Sequence, residues 1–461
     1  MSKPKDKPPT SRFGRLARLA GLGTKGIPLA VEGAKQLLGG KDRVKTEDEK
    51  RKEAEKLARD SKKAAEAMLK TLGDMKGLPL KLGQMVSYID GIAPPGYEEK
   101  FQQTLKKLLD KAPPLSPEAA DKVVGEELGP PTEVFSEWER EPFAAASIGQ
   151  VHRATTKGGD HVAVKVQYPG IDKAITNDLK SVNLLGSMMG PLNHRLHTKQ
   201  TLAELTEVFL SELDYTREAE MADVFRRIHQ DDDDIVIPRV HQSLSTQRVL
   251  TAEMIGGIGY AEFQQNATQE ERNRAGVAIW RFMFRALLKH GYLYADPHPG
   301  NYRFLEDGRV AFLDFGCVKK ISPELIAGIK RYMIAGIDED WEEFDRACIE
   351  VLDYDPKDPS WDVYRSYTIE LLRPLTTDVW HCTTDRAREA VTYIAEGVKE
   401  ISFKDGELPT IPHVPKMPQE FVFLNRLQWG LASVMGGLGT IASFRPITEP
   451  WIRNDVVPVP E

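Results

Sequence analysis

Three charged side chains and one amide recur at spacings that leave few folds open to this chain. Lys165 ends the stretch Val162-Ala163-Val164-Lys165, Asp296 stands five residues before Asn301, and Asp314-Phe315-Gly316 begins thirteen residues after Asn301. Any one of these fragments is common in long sequences. Their shared order and two fixed intervals are not. From His161 to Gln167 the pattern alternates with a period of two, which puts Val162, Val164 and Val166 on one strand face and Ala163 with Lys165 on the other. A strand lysine followed much later by two aspartates and an asparagine supplies the cation and hard-oxygen donors that a polyphosphate and its metal require.

The same order is that of a protein-kinase-like fold. Such a fold covers the phosphates with a G-x-G-x-x-G-x-V loop, and the corresponding place here reads Ala144-Ala145-Ala146-Ser147-Ile148-Gly149-Gln150-Val151. The third glycine and the valine are kept, whereas Ala144 and Ala146 replace the first two glycines. A Cβ at those positions limits positive φ and holds the backbone further from the phosphates, so a stiffer loop with a different grip on nucleotide is expected. A plain small-residue turn between strands would read the same locally. Its place before a strand at 150–155, a turn at 157–160 and the strand His161–Gln167 favours the phosphate loop.

With the alanine loop in view, the chain resembles the UbiB (AarF-like) family of atypical kinases. Lys81-Leu82-Gly83-Gln84 matches that family's K-x-G-Q motif, Glu212-Leu213-Asp214 its E-x-D motif, and Asp296-Pro297-His298-Pro299-Gly300-Asn301 its catalytic loop. The match runs from about residue 12 to about 330 and is loose in the last 130 residues. Some members end in spanning helices, a pattern from which this chain departs. The resemblance implies an α+β, two-lobed kinase-like fold. The expected organisation is a basic segment at 1–45, read from its charge, then a helical K-x-G-Q extension at 46–129, a nucleotide-binding lobe at 130–255 and a helix-rich lobe with catalytic loop and D-F-G at 256–461.

Phosphoryl transfer needs cations around the γ-phosphate and an acceptor held in line. Lys165 is expected on the α and β phosphates and Asp296 as catalytic base or acceptor-positioning group. Asn301 and Asp314 are expected on Mg²⁺. ATP would be enclosed by Ala144, Ala145, Ala146, Ser147, Gly149, Val151 and Ala163, with backbone at Glu253 and Ile255 on the adenine edge. Glu218 is the family-like partner for Lys165. On a helix read from about 201 to 227, Asp214 and Glu218 are four apart and share a face, which calls for a cation between them: Lys165, Lys81 or Mg²⁺. Glu212 by itself reads as ordinary surface acidity. The resemblance also implies that Lys81 and Gln84 fold over the place a peptide substrate would take, with the lysine near the E-x-D carboxylates.

Composition agrees with an enzyme in a reducing compartment. Three cysteines (Cys317, Cys348, Cys382) are too few and too scattered for a disulfide framework or zinc site. Residues 1–45 carry eleven Lys or Arg against three acids, a net of +8, so the remainder of a chain whose total is −7 carries −15. That basic stretch fits an anionic membrane surface, and equally a basic tail followed by a docked helix; a mitochondrial transit peptide has the same composition. Trp429–444 is sixteen residues long with four glycines, short of the roughly 20 apolar residues a spanning helix needs. The expected location is cytoplasmic, peripheral at an inner membrane face, or the mitochondrial matrix.

Two departures bear on substrate. The H-R-D of ordinary kinases is Tyr294-Ala295-Asp296, without the arginine that reads activation-loop phosphorylation, and Ser322-Pro323-Glu324 begins a helix six residues after Gly316. The expectation is therefore an ATPase or small-molecule or lipid-related phosphotransferase supporting isoprenoid-quinone (ubiquinone) biosynthesis or lipid homeostasis, with quinone-biosynthesis proteins as partners and no nucleic acid. A protein kinase and a non-catalytic nucleotide-binding scaffold are the alternatives.

Overall fold

Helix α1 (Pro117–Glu127) starts where its residue types require. Pro117 lacks an N–H at a position where none could be bonded, and the Ser116 hydroxyl accepts from the Ala119 N–H at 3.3 Å. Ala120, Val123 and Val124 form its buried stripe at helical spacing. This is the first element of a computed structural model that describes residues 116–146, 148–177, 210, 212–389 and 420–460. The basic segment, Lys81, Gln84 and Ser147 lie outside the described residues. Residues 116–154 and 165–177 belong to one unit, and 155–164 with the described residues from 210 onward to a second.

In the first unit α1 is followed by a short helix, α2 (Pro131–Val134), and strand β1 (Phe135–Trp138). Trp138 Nε1 donates to Asp121 at 2.8 Å, and its ring stacks on His152 at 4.7 Å. Strand β2 (Ala144–Ala145) pairs antiparallel with β3 (Gly149–Thr156), Ala144 opposite Val151, and the Ala146 N–H donates to Gly149 O at 2.9 Å. The alanine loop is thus a tight hairpin. Ala144, Ala146 and Gly149 all lie outside the positive-φ set, so the turn needs none of the missing glycines. Strand β4 spans His161–Gln167 and, in the second unit, β6 spans Val249–Glu253. Val162, Val164 and Val166 are fully buried, while Ala163 and Lys165 are half-buried, as the period-two pattern predicts.

His152 is fully buried, shared between Gln150 and the Glu139 carbonyl. Burial lowers its pKa below the ordinary 6.5. Below that value the unfolded chain takes up a proton that the folded chain resists. The stability is therefore full above about pH 6.5 and lost as pH falls beneath it. Chemical denaturation should show unfolding free energy dropping from pH 7 to about 5.5, and His152→Gln should flatten that slope by up to about 1.4 kcal/mol per pH unit. A slope identical in the variant would exclude His152 as a source.

In the second unit, α3 (Tyr215–Ile228) buries Glu218, Ala222 and Phe225, and β5 (Ile235–Val236) runs parallel to β9 (Val310–Phe312). Strand pairing stops at Val236, and Val240 makes an isolated bridge to Ala252. After α4 (Tyr260–Asn266), a capping box of Thr268 and Glu271 opens α5 (Gln269–Phe284). A π-helical turn at Arg285–Lys289 leads to β7 (Tyr292–Tyr294), which pairs with β10 (Val318–Lys320). The hairpin of β8 (Tyr302–Phe304) and β9 stands between them in sequence. These strands of three residues within the helix-rich lobe are too short to show alternation in the sequence. Helix α6 (Pro323–Ile337) starts on the Ser322 cap, and α7 (Trp341–Leu352), α8 (Trp361–Thr376), α9 (Glu420–Leu438) and α10 (Arg445–Arg453) follow. Among the described residues no helix is long and apolar enough to cross a membrane.

The glycines of α9 have a packing cause. A Cβ at Gly430 would meet Pro297 Cγ at 2.5 Å, and one at Gly437 would meet the Tyr260 hydroxyl at 2.2 Å. Tyr260 itself donates to Val434 O at 2.7 Å. The helix is apolar because it backs the catalytic loop and α4. Gly430→Ala gains about 1 kcal/mol of helix propensity but forces apart helix and proline ring, which costs about 1–3 kcal/mol. The clash should win. A lower melting midpoint is expected; an unchanged midpoint would refute the close approach.

Candidate active site

The loop from Tyr294 to Asn301 is held by its own backbone. Ala295 N–H donates to Cys317 O at 2.9 Å, His298 N–H to Asp296 O at 2.7 Å, and Asn301 N–H to His298 O at 2.9 Å. Gly300 N–H donates to His298 Nδ1 at 2.9 Å, which makes that nitrogen the acceptor. Asn301 Nδ2 donates to the Asp296 carbonyl at 3.1 Å and reaches its carboxylate at 3.5 Å. The amide nitrogen is thereby spent inside the loop, and the amide oxygen is the end left to meet a cation. Asp296 is buried, 8 % exposed.

Tyr294 ties this loop to Asp314-Phe315-Gly316. Its hydroxyl donates to Asp314 O at 2.7 Å and receives Asn301 Nδ2 at 3.5 Å. Complete burial raises its pKa well above 10.0, with the nearby Tyr302, Asp314 and Asp296 adding to that, so the phenol stays protonated and donates. The Asp314 carboxylate accepts from Gly316 N–H at 3.0 Å. Phe315 packs at 5.4 Å from Phe225 of α3 and 6.0 Å from Tyr294, and Phe282 of α5 stacks on Phe312 at 3.6 Å. Each such ring pair contributes about 0.5–1.5 kcal/mol beyond its area, and the cluster locks α3 onto the aspartate.

That lock decides where the acids go. A Cβ placed on Gly316 would lie 3.3 Å from Asp314 Oδ1, 3.6 Å from Glu218 Oε2 and 3.7 Å from Glu212 Cγ. Glu212 is 6 % exposed and Glu218 3 %. The predicted pairing of Asp214 with Glu218 on one helical face is therefore corrected. Asp214 is not inside a helix: it is the N-cap of α3, at φ −118 and ψ 96, and its carboxylate accepts from the Thr216 N–H at 3.0 Å. Aspartate prefers that position because its short side chain satisfies an open N–H. Glu212, which read as surface acidity, is instead buried and, like Glu218, lies against Gly316.

Asp314 and Asn301 offer oxygen donors of the hard kind that a magnesium ion accompanying a nucleotide takes. Among the described residues no three His, Cys, Asp or Glu side chains form a metal cage by themselves. An ion at Asp314 and Asn301 would share its shell with phosphate oxygens and water. The Tyr302 hydroxyl is buried beside Asp296 with no hydrogen-bond partner. The sequence marks Tyr294 only as the aromatic residue in place of the H-R-D histidine, and gives no sign of Tyr302.

Of the other expected residues, Ala144 and Ala145 lie on β2, Ala146 in the turn, Gly149 and Val151 on β3, and Ala163 and Lys165 on β4. Glu253 ends β6, followed by Met254 and Ile255, and the Met254 N–H donates to His161 O at 3.0 Å, so this segment runs beside the start of β4. Cys317 is buried.

A catalytic loop and a D-F-G joined through one tyrosine define a kinase-like site. The model of the ABC1 atypical kinase-like domain matches residues 107–347. The chain belongs to this family of UbiB (AarF-like) atypical kinases, and its fold is the family's α+β kinase-like fold. It is 34% identical over 325 residues to the atypical kinase COQ8B, mitochondrial, of Danio rerio, covering 69% of this chain and 50% of that protein. It is 31% identical over 406 residues to an uncharacterised chloroplastic aarF domain-containing protein kinase of Arabidopsis thaliana, covering 86% and 54%. Among solved structures it is similar to Rv3197 of Mycobacterium tuberculosis in complex with erythromycin. That likeness has a TM-score of 0.60 at 27% identity and covers 87% of this chain and 98% of the other. The chain spans about half the length of the curated relatives it matches.

Proposed function

We propose that this protein binds Mg-ATP and turns it over, as an ATPase or as a phosphotransferase to a small or lipid-like acceptor. Its proposed setting is isoprenoid-quinone biosynthesis or lipid homeostasis at a membrane surface, a context suggested by the COQ8B relatives. The reading is carried by one observation: Asp296, Asn301 and Asp314 are braced together through Tyr294, with Glu212 and Glu218 gathered at Gly316.

Asp296 would orient the attacking hydroxyl or water and accept its proton. Asn301 and Asp314 would hold Mg²⁺, which when bound neutralises phosphate charge. Lys165 would contact the α and β phosphates, with Glu218 as the carboxylate that positions it. The alanine hairpin would cover the phosphates, and backbone at Glu253–Ile255 would meet the adenine. Because Ser322 caps α6 six residues after Gly316, little chain is available for a regulated activation loop. That favours a small acceptor over a protein.

Phosphate release by the full chain, with and without anionic liposomes, tests the proposal, with Asp296→Asn as control. Release that is lost in the control is the expected result. Label transfer to a protein would select a protein kinase instead. Stabilisation by Mg-ATP without release would select a scaffold.

A further inference from the structure

The helical part of the second unit holds a cavity of about 150 Å³ that the catalytic machinery does not use. Its walls come from α5, the π-helical turn, α6, α8 and α9, and include Trp280, Leu287, Met333, Leu372, Leu431 and Met435. None of Asp296, Asn301, Asp314, Glu212 or Glu218 lines it. The surrounding helices pack so closely that a Cβ at Gly336 would lie 2.5 Å from Leu372 and one at Gly436 2.7 Å from the Thr383 backbone. An open volume inside such packing forfeits dispersion contacts on every wall, and one of this size is known to admit a single benzene ring.

The chemistry of the lining is graded. Cys382 is buried on the wall, and its thiol is pushed up to about 12, chiefly by burial, so it stays neutral and behaves as an apolar group. The charged lining residues, Arg386 and Glu370, are both exposed. Glu370 accepts from Arg373 Nε at 3.0 Å. The Arg386 guanidinium lies over the ring of Trp380, itself a lining residue, at 4.2 Å from its centroid. An apolar chamber with one oriented cation at its edge is the arrangement that selects a hydrophobe by its body and an anion by its head.

We propose that this cavity binds a single-ring hydrophobe bearing a carboxylate, the ring among Trp280, Met333 and Met435 and the carboxylate on Arg386. The site stands independently of the nucleotide reading. The test titrates the full chain with 4-phenylbutyrate, n-butylbenzene and 4-phenylbutylamine, reading tryptophan fluorescence and the melting midpoint. Saturable binding of the carboxylate is expected, with an affinity about tenfold or more above the amine. Arg386→Gln, at an exposed position, should level the two. Ala432→Phe, which extends a half-buried lining residue into the chamber, should abolish binding of all three. Absence of saturable binding would overturn the proposal. So would equal affinity for acid and amine, or a preference that persists in Arg386→Gln.

Discussion

Asp314→Ala should reduce phosphate release by about three orders of magnitude or more while leaving the melting midpoint nearly unchanged. The two halves of that expectation have separate causes. The carboxylate makes a short local bond to Gly316 N–H at 3.0 Å, within its own turn, and half-exposed local bonds of this kind contribute only about 1 kcal/mol. The tie to the catalytic loop runs instead through the backbone, from the Tyr294 hydroxyl to Asp314 O, and survives truncation of the side chain. Steady-state release and thermal melts on the same preparation separate the outcomes. Turnover within tenfold of the parent would remove Asp314 from the proposed metal set, and a collapsed melt would show it to be structural.

Lys165→Ala should abolish stabilisation by Mg-ATP, weakening nucleotide affinity by about a hundredfold or more. Lys165 shares the half-buried face of β4 with Ala163, opposite three fully buried valines, so its loss leaves the strand's core face intact. Folding should therefore persist in the variant. The thermal shift produced by Mg-ATP is the measurement, and a full shift in Lys165→Ala would assign the phosphate contact elsewhere. Lys165→Met keeps the length of the stem and should fail in the same way, which separates charge from packing.

Much of this was legible before any coordinates. The alternation in β4, the caps at Ser116 and Ser322 and the short path from Gly316 to α6 are local properties, each written within a few residues by side-chain period or capping chemistry. The spacing of Lys165, Asp296, Asn301 and Asp314 led to the family, and the family match at 107–347 agrees. The glycine-bearing stretch of α9 could be excluded as a membrane span by its length. Why it held glycines could not be read at all, because Pro297 and Tyr260 are far away along the chain.

Periodicity and residue preference are encoded over a turn of helix or a pair of strand residues, so the sequence alone determined the longer elements and pointed to a candidate phosphate-handling set. Which carboxylates are buried depends on what lies across from them. Only tertiary structure turned Asp214 outward as a cap and brought Glu212 with Glu218 to Gly316, because Phe225, Phe315 and Tyr294 pack as one cluster that fixes α3 against the D-F-G turn.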